Sequence, residues 1–360
     1  MYLLDFQEID TAAKLDAKTL FDLVKLSFGV VAGAGALVAL VVAYRRQRVD
    51  EVAAHREATR LHTERFSQAV EQLGSDSPAV QLGGVHALAG LADDAPDDSL
   101  RQTCIDVLCA YLQLPFTPDP GDDPAHQEEH HRYLAFRKVR HTILRLIGDH
   151  YRRPQGTHRS WQGCNLDLTG VTIDGRVDFD GATFADDGRV DFDGATFADG
   201  GWVSFTGATF SDDGWVSFRG ATFSGGEVSF NRVMFSGGTV TFDGATFSRG
   251  RVTFRRATFS GSRVFFGDAS FSGGRVAFNG ATFSGGTMVF RDATRSAGGV
   301  FFHGATFSGG RVAFDGATFS GGTVSFHDAT GPAPSGLLTD VGTPTSVSVI
   351  LSSAWLNSNP

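Results

Sequence analysis

Hydrophobic positions along this chain follow three different patterns. Over residues 26–44 they run unbroken: LSFGVVAGAGALVALVVAY holds 19 residues without a charge, between Lys25 and Arg45. At ~1.5 Å per residue a helix of that length spans about 28 Å, which matches a bilayer core of about 30 Å, so the pattern predicts one transmembrane helix. From residue 49 to 73 the spacing becomes helical and sparse, with Val49, Val52, Leu61, Phe66, Val70 and Leu73 set among many charges. Ser77 before Pro78 then predicts the start of a helix with the stripe Val80, Val85, Leu88 and Leu91, and the caps at residues 97–99 open another over 100–112. A further helix over residues 133–151 places Leu134, Val139, Ile143 and Leu146 on one side. The third pattern fills residues 166–330, where one phrase recurs thirteen times. It reads VDFDGATFADD at Val177, VSFRGATFSGG at Val216, VAFNGATFSGG at Val276 and VAFDGATFSGG at Val312. Its first Phe returns at intervals of thirteen through Phe179, Phe192, Phe205 and Phe218, then at intervals of twelve as far as Phe326, which is the signature of a solenoid.

Each phrase sets its two large residues five apart, with a small residue two places before each, as at Phe242 and Phe247 or Phe314 and Phe319. The unit is therefore a pentapeptide (Val or Ala, polar, Phe, any, Gly or Ser) used twice and followed by a Gly-rich spacer. This resembles the bacterial pentapeptide-repeat family, of the membrane-anchored type. The resemblance implies an all-β right-handed quadrilateral β-helix, with the central Phe and the small residue of every pentapeptide pointing inward, preceded by an α-helical region with one transmembrane helix. The chain departs from the family in its twelve-residue phrase, longer by two than a pair of pentapeptides. A coil made of two such phrases, and so of twice twelve, accommodates the excess at corners where Gly225 and Gly226, Gly285 and Gly286, and Gly321 and Gly322 permit positive φ. About seven coils at ~4.8 Å each would make a rod roughly 30–35 Å long. Of the 26 inward central places Phe fills 24, and the others hold Arg295 and Gly331. Arg295 is expected between Phe271 and Phe319 of neighbouring coils, where a guanidinium makes a local flaw.

These patterns divide the chain into an N-terminal arm (1–25), a transmembrane helix (26–44), a helical region (45–114), a Pro- and Asp-rich linker (115–131), a helix leading into the solenoid (132–153), the solenoid (164–331) and a mostly disordered tail (332–360). The segment ERFSQAVEQLGSDSPAVQLGGVHALAGLA from Glu64 resembles the HEAT-like helices found ahead of pentapeptide repeats, a packing motif without chemistry. The helix before the solenoid is expected to cover its open end, whose strand edges would otherwise recruit other chains. In the tail, SVSVIL from Ser346 offers one capping strand.

A net charge of -9 argues against general nucleic-acid binding. Cys104, Cys109 and Cys164 lack CxxC spacing and read as buried small side chains in a reducing compartment. His126, His130 and His131 with Glu128 and Glu129 invite a metal reading, but their crowded run beside prolines lacks the HExxH spacing and reads as a solvated linker end. The sequence contains no GxSxG, Walker loop, helix-opening GxGxxG or GGxGxD calcium signature. No enzyme activity, cofactor or metal is expected.

Function must then lie in surfaces. Five acids in the arm (Asp5, Glu8, Asp10, Asp16, Asp22) stand against Lys14, Lys18 and Lys25, while Arg45, Arg46 and Arg48 follow the apolar run. The positive-inside rule places the N-terminus outside and the bulk of the chain in the cytoplasm. Gly29 and Gly33 form a GxxxG face for a transmembrane homodimer. The first reading is a membrane-tethered protein–protein interaction scaffold with an unknown partner; Trp202 and Trp215, at equivalent places in successive phrases, and the turn carboxylates Asp186, Asp187, Asp212 and Asp213 are its candidate contacts. The second is a DNA mimic that binds a topoisomerase, as the resemblance implies for some members of the family. Against it, residues 164–230 hold 12 acids and 3 bases, whereas 231–330 hold 5 acids and 10 bases, so the acidity does not extend along the rod. The third is binding to a surface such as ice through the row Thr183, Thr196, Thr209, Thr222, Thr246 and Thr258.

Overall fold

Helix α1 (Ala17–Leu73) joins the apolar run and the charged segment after it into one helix of 57 residues. No proline interrupts it, and Gly29, Gly33 and Gly35 cost helix propensity without breaking the hydrogen-bond ladder. The computed structural model describes residues 17–116, 119–121, 123–184, 188–211, 214–295, 297–319, 321–334 and 348–356. Two compact units divide the chain, Met1–Leu61 and His62–Pro360. In the first, Leu26, Phe28, Val31, Leu37 and Leu40 all stand exposed around the helix. Among the described residues α1 is the one helix long and apolar enough to cross a membrane.

The second unit begins with the end of α1, followed by α2 (Pro78–Asp93), α3 (Asp98–Gln113) and α4 (Gln127–Tyr151). Pro78 occupies the first turn of α2, and the Leu100 amide donates to Asp97 Oδ1 at 2.9 Å to cap α3, as the sequence predicts. Ala69, Leu73, Val85, Leu88, Cys104, Ile105 and Leu108 form one buried cluster. A Cβ on Gly84 would lie 2.6 Å from the Leu73 amide, so only glycine lets α2 approach α1 this closely. Helix α4 starts earlier than expected, inside the supposed linker. The Ala125 amide donates to Asp123 Oδ1 at 2.9 Å to form a short 3₁₀ turn, and Glu128 and Glu129 in the first turn of α4 favour its N-terminal dipole.

The repeats build four all-parallel sheets. They begin with the strands Leu166–Asp167, Thr172–Ile173, Arg176–Asp178 and Thr183–Phe184, and each later strand of the repeats pairs with the one four strands before it. The register is two phrases: Thr222 pairs Thr246, Val252 pairs Val276 and Phe259 pairs Phe283, one coil further on in each case. The early, longer phrases give wider coils, as where Val177 pairs Val203. About seven coils stack in this way, which bears out the expected coil of two phrases.

The Phe side chains form four columns. In the third sheet Phe179, Phe205, Phe230, Phe254, Phe278, Phe302 and Phe326 stack with ring centroids 4.7–5.0 Å apart. Phe205 and Phe230 are inclined by only 2°, because parallel in-register pairing repeats the same backbone and rotamer in every coil. The second column runs Phe197, Phe223, Phe247 and Phe271, and the strand register then brings Arg295, whose backbone pairs with Phe271 on one side and Phe319 on the other.

The polar positions of the phrase bind one coil to the next. Thr206 donates its amide to Asp180 Oδ1 at 2.8 Å, Arg219 to Asp193 Oδ1 at 3.0 Å, Arg255 to Asn231 Oδ1 at 3.0 Å and Gly267 to Asp243 Oδ1 at 2.7 Å. The spacer glycines serve two purposes rather than one. Gly286 takes φ +73, as expected of a corner, whereas Gly226 has no positive φ and is small because a Cβ would come 2.9 Å from the Gly201 carbonyl of the preceding coil.

Candidate interaction surfaces

The first coil is closed by helices. From α3, the Gln102 amide donates to the Asn165 carbonyl at 2.9 Å and its oxygen accepts from the Asn165 amide at 2.9 Å, imitating a neighbouring strand. From α4, Tyr133, Arg137 and His141, spaced four apart on one face, converge on Asp174 at the corner after the Thr172–Ile173 strand. Tyr133 Oη donates to Oδ2 at 3.1 Å, Arg137 Nε to Oδ2 at 2.7 Å, and His141 Nε2 lies 2.9 Å from Oδ1. Burial alone would raise the Asp174 pKa, but the hydrogen bonds from His141 and Arg137 outweigh it and hold the carboxyl well below the usual range. Tyr151, wholly buried, sets its ring 5.6 Å from Phe184 and 6.0 Å from Phe179. A Cβ on Gly148 would strike the Asp178 carbonyl, so glycine there lets α4 lie against the coil. Both α3 and α4 thus lie against the first coil. Sequence reasoning missed a companion cluster: Asp93 Oδ1 accepts from Trp161 Nε1 at 3.1 Å and lies 3.1 Å from His150 Nε2, while the His150 and Trp161 rings stack at 4.1 Å.

The last coil is closed by the tail. The strand Ser348–Ile350 pairs in parallel with Thr323–Ser325, as SVSVIL predicts. Helix α5 (Ser353–Leu356) carries Trp355, whose Nε1 donates to the Gly331 carbonyl at 2.6 Å and whose ring lies 5.9 Å from Phe307 and 5.3 Å from Phe326. The tail reading had only the strand. Trp355 stands two phrases after Gly331, one coil on, and that offset was the available signal.

Trp202 and Trp215 do not form one aromatic patch. Trp202 opens the strand Trp202–Ser204 of the third sheet and Trp215 the strand Trp215–Ser217 of the first, because equivalent places in successive phrases lie half a coil apart. Each is half-buried under an arginine of the preceding coil: the Arg176 guanidinium sits 4.3 Å from the Trp202 ring centroid and that of Arg189 3.3 Å from Trp215. The threonines divide likewise. Thr196, Thr222 and Thr246 belong to the second sheet, and Thr183, Thr209 and Thr258 to the fourth. Asp186, Asp187, Asp212 and Asp213 lie outside the described residues. In the other unit, the backbone at Gly29 and Gly33 borders open space.

His126 ends the 3₁₀ turn, and Glu128, Glu129, His130 and His131 lie on the first turns of α4 rather than in a linker; His130 Nδ1 lies 2.7 Å from Asp119 Oδ1. Burial pushes the thiols of Cys104 and Cys164 up to about 11 and that of Cys109 up to about 12, so all three are held as neutral thiols. Cys104 Sγ lies 3.8 Å from His62 Nε2, but both side chains are buried, and burial also lowers the His62 pKa.

What the solenoid presents outward changes from coil to coil. Along the third sheet the first strand positions, outward except at the buried Gly299, read Arg176, Trp202, Glu227, Arg251, Arg275, Gly299 and Thr323, whereas the inward neighbours read Val177, Val203, Val228, Val252, Val276, Val300 and Val324. No protein-family model, curated protein or solved structure matches this chain.

Proposed function

We propose that this protein is a non-enzymatic, single-pass membrane-tethered member of the pentapeptide-repeat family, whose right-handed quadrilateral β-helix serves as a protein–protein interaction scaffold at the cytoplasmic face. The observation that carries the reading is the contrast just described: a constant inward column beside an outward row in which charge, size and aromaticity all vary. A surface that varies on an invariant frame is suited to recognising a protein partner. The exposed apolar segment of α1 supports the tether, and the arginines after it support the inward orientation. The change of charge sign along the repeats speaks against a DNA mimic.

Two measurements test this. Protease added outside sealed cells should leave the repeats intact, and digestion of them from outside would overturn the orientation. The full chain in detergent should retain a defined protein partner that the double substitution Arg251→Glu and Arg275→Glu releases. If the retained protein were a topoisomerase, and it were inhibited, the DNA-mimic reading would replace the scaffold.

A further inference from the structure

Between α2, the end of α3 and the first half of α4 lies a cleft of about 600 Å³, within the ordinary range of small-molecule sites. Its walls are aromatic: Tyr111, Phe116, Tyr133 and Phe136. Two of its lining groups are buried and polar, and both present donors. Arg140 is only 4% exposed, yet among the described residues it forms no ion pair. Its Nη1 donates to the Leu112 carbonyl at 2.7 Å and its Nη2 to the Thr172 carbonyl at 3.4 Å, while Phe116 covers its guanidinium at 4.7 Å. Those contacts engage two of the five N–H groups an arginine carries. Asp174, whose charge acts on Arg140 without pairing with it, is already held by Arg137 and His141. Gln81 is 6% exposed, and its Oε1 accepts from Tyr111 Oη at 3.0 Å, so the side chain turns its NH₂ to other acceptors. A buried cation whose one acidic neighbour is bonded to two other groups is costly unless something supplies a counter-charge of its own.

We propose that this cleft binds a small aromatic monocarboxylate, its carboxylate on Arg140 and Gln81 and its ring among Phe116, Tyr133 and Phe136. A monoanion fits better than a phosphate dianion. Among the described residues the ionised side chains lining the cleft are Arg132, Arg140 and Glu129, which leave one positive charge to be matched. The planar guanidinium suits a carboxylate held by two parallel hydrogen bonds. This site is independent of the outward rows of the solenoid and does not rest on the scaffold reading.

The test uses the full chain in nanodiscs and 2-naphthoate as the probe, titrated calorimetrically against empty nanodiscs as the blank. One saturable site per chain is expected, with 2-naphthalenemethanol, the neutral isostere, at least about tenfold weaker, or ~1.4 kcal/mol. Arg140→Met should weaken naphthoate binding by a similar factor. Leu114→Trp, at an exposed wall position, should abolish it by filling the cleft while leaving every buried group in place. Absence of a saturable site, equal binding of the alcohol, or unchanged binding to Leu114→Trp would each overturn the proposal. If Arg140→Met loses its β-sheet signal, the alcohol and Leu114→Trp comparisons decide alone.

Discussion

At its first coil the solenoid meets a helix that brings a tyrosine, an arginine and a histidine onto one carboxylate and drives a tyrosine ring onto the Phe columns, whereas at its last coil it meets a three-residue strand and one indole. The contrast extends into the repeats. In the first coils glycine takes the positive-φ corners, at Gly170, Gly181, Gly194, Gly207 and Gly220. Farther on, Arg232, Arg256, Asp268, Asp292 and Asp328 occupy equivalent corners at φ 53–57, interspersed with Gly244, Gly280, Gly304 and Gly316. From Phe179 onward the run of Phe is unbroken until the register brings in Arg295 and Gly331 toward the end. Stability in a solenoid is close to a sum of coil and neighbour terms, so an end closed by polar and aromatic contacts onto unstrained coils should hold longest, and unfolding should begin from the other.

The largest test of that difference is truncation at each cap. Tyr151→Ala should cost about 3–5 kcal/mol, since it empties a wholly buried site between α4 and two Phe columns. Trp355→Ala, which removes a half-buried ring, should cost only about 1–2 kcal/mol. Urea unfolding followed by β-sheet circular dichroism measures both, and equal losses would mean that the ends are equivalent.

Next comes Asp174. Its pKa is depressed in the folded chain, so its contribution is complete above the ordinary carboxylate pKa of about 4 and is lost as the pH falls below that toward the folded value. Asp174→Asn should cost about 1–3 kcal/mol at neutral pH and flatten the loss of stability on acidification. Hydrogen exchange should localise the change to α4 and the first coil, and a loss spread evenly over the coils would count against a local clamp.

Arg295→Phe should work in the opposite direction, stabilising the later coils by about 1–2 kcal/mol by completing the second column. Exchange rates of the strand amides on either side of residue 295 would slow, and no change would show that the site already tolerates arginine without cost. The smallest effect is expected from Arg256→Gly. Relief of a positive φ of 57° at an arginine should gain about 0.5–1 kcal/mol, read as a raised urea midpoint with unchanged slope.

Much of this architecture was legible because a repeat declares its own register. Once one phrase is used twice per coil, Phe271, Arg295 and Phe319 must fall on paired strands in register, and they do. The same arithmetic had further consequences that were not drawn: equivalent places in successive phrases fall on different sheets, which separates Trp202 from Trp215, and one coil after Gly331 stands Trp355. The Asp174 clamp had no such signal. The four-residue spacing of Tyr133, Arg137 and His141 is visible on a helix, but nothing local tells which carboxylate they meet 33–41 residues later.

By itself, then, the sequence determined the coil length, the inward Phe columns, the helical lead-in and a helix apolar enough to cross a membrane, because each follows from a periodicity or a run that local sterics and burial convert directly into structure. Tertiary structure alone decided how the ends are closed, which outward side chains share a sheet and where Arg140 comes to rest without a carboxylate, since these depend on where separate elements dock and no period encodes that.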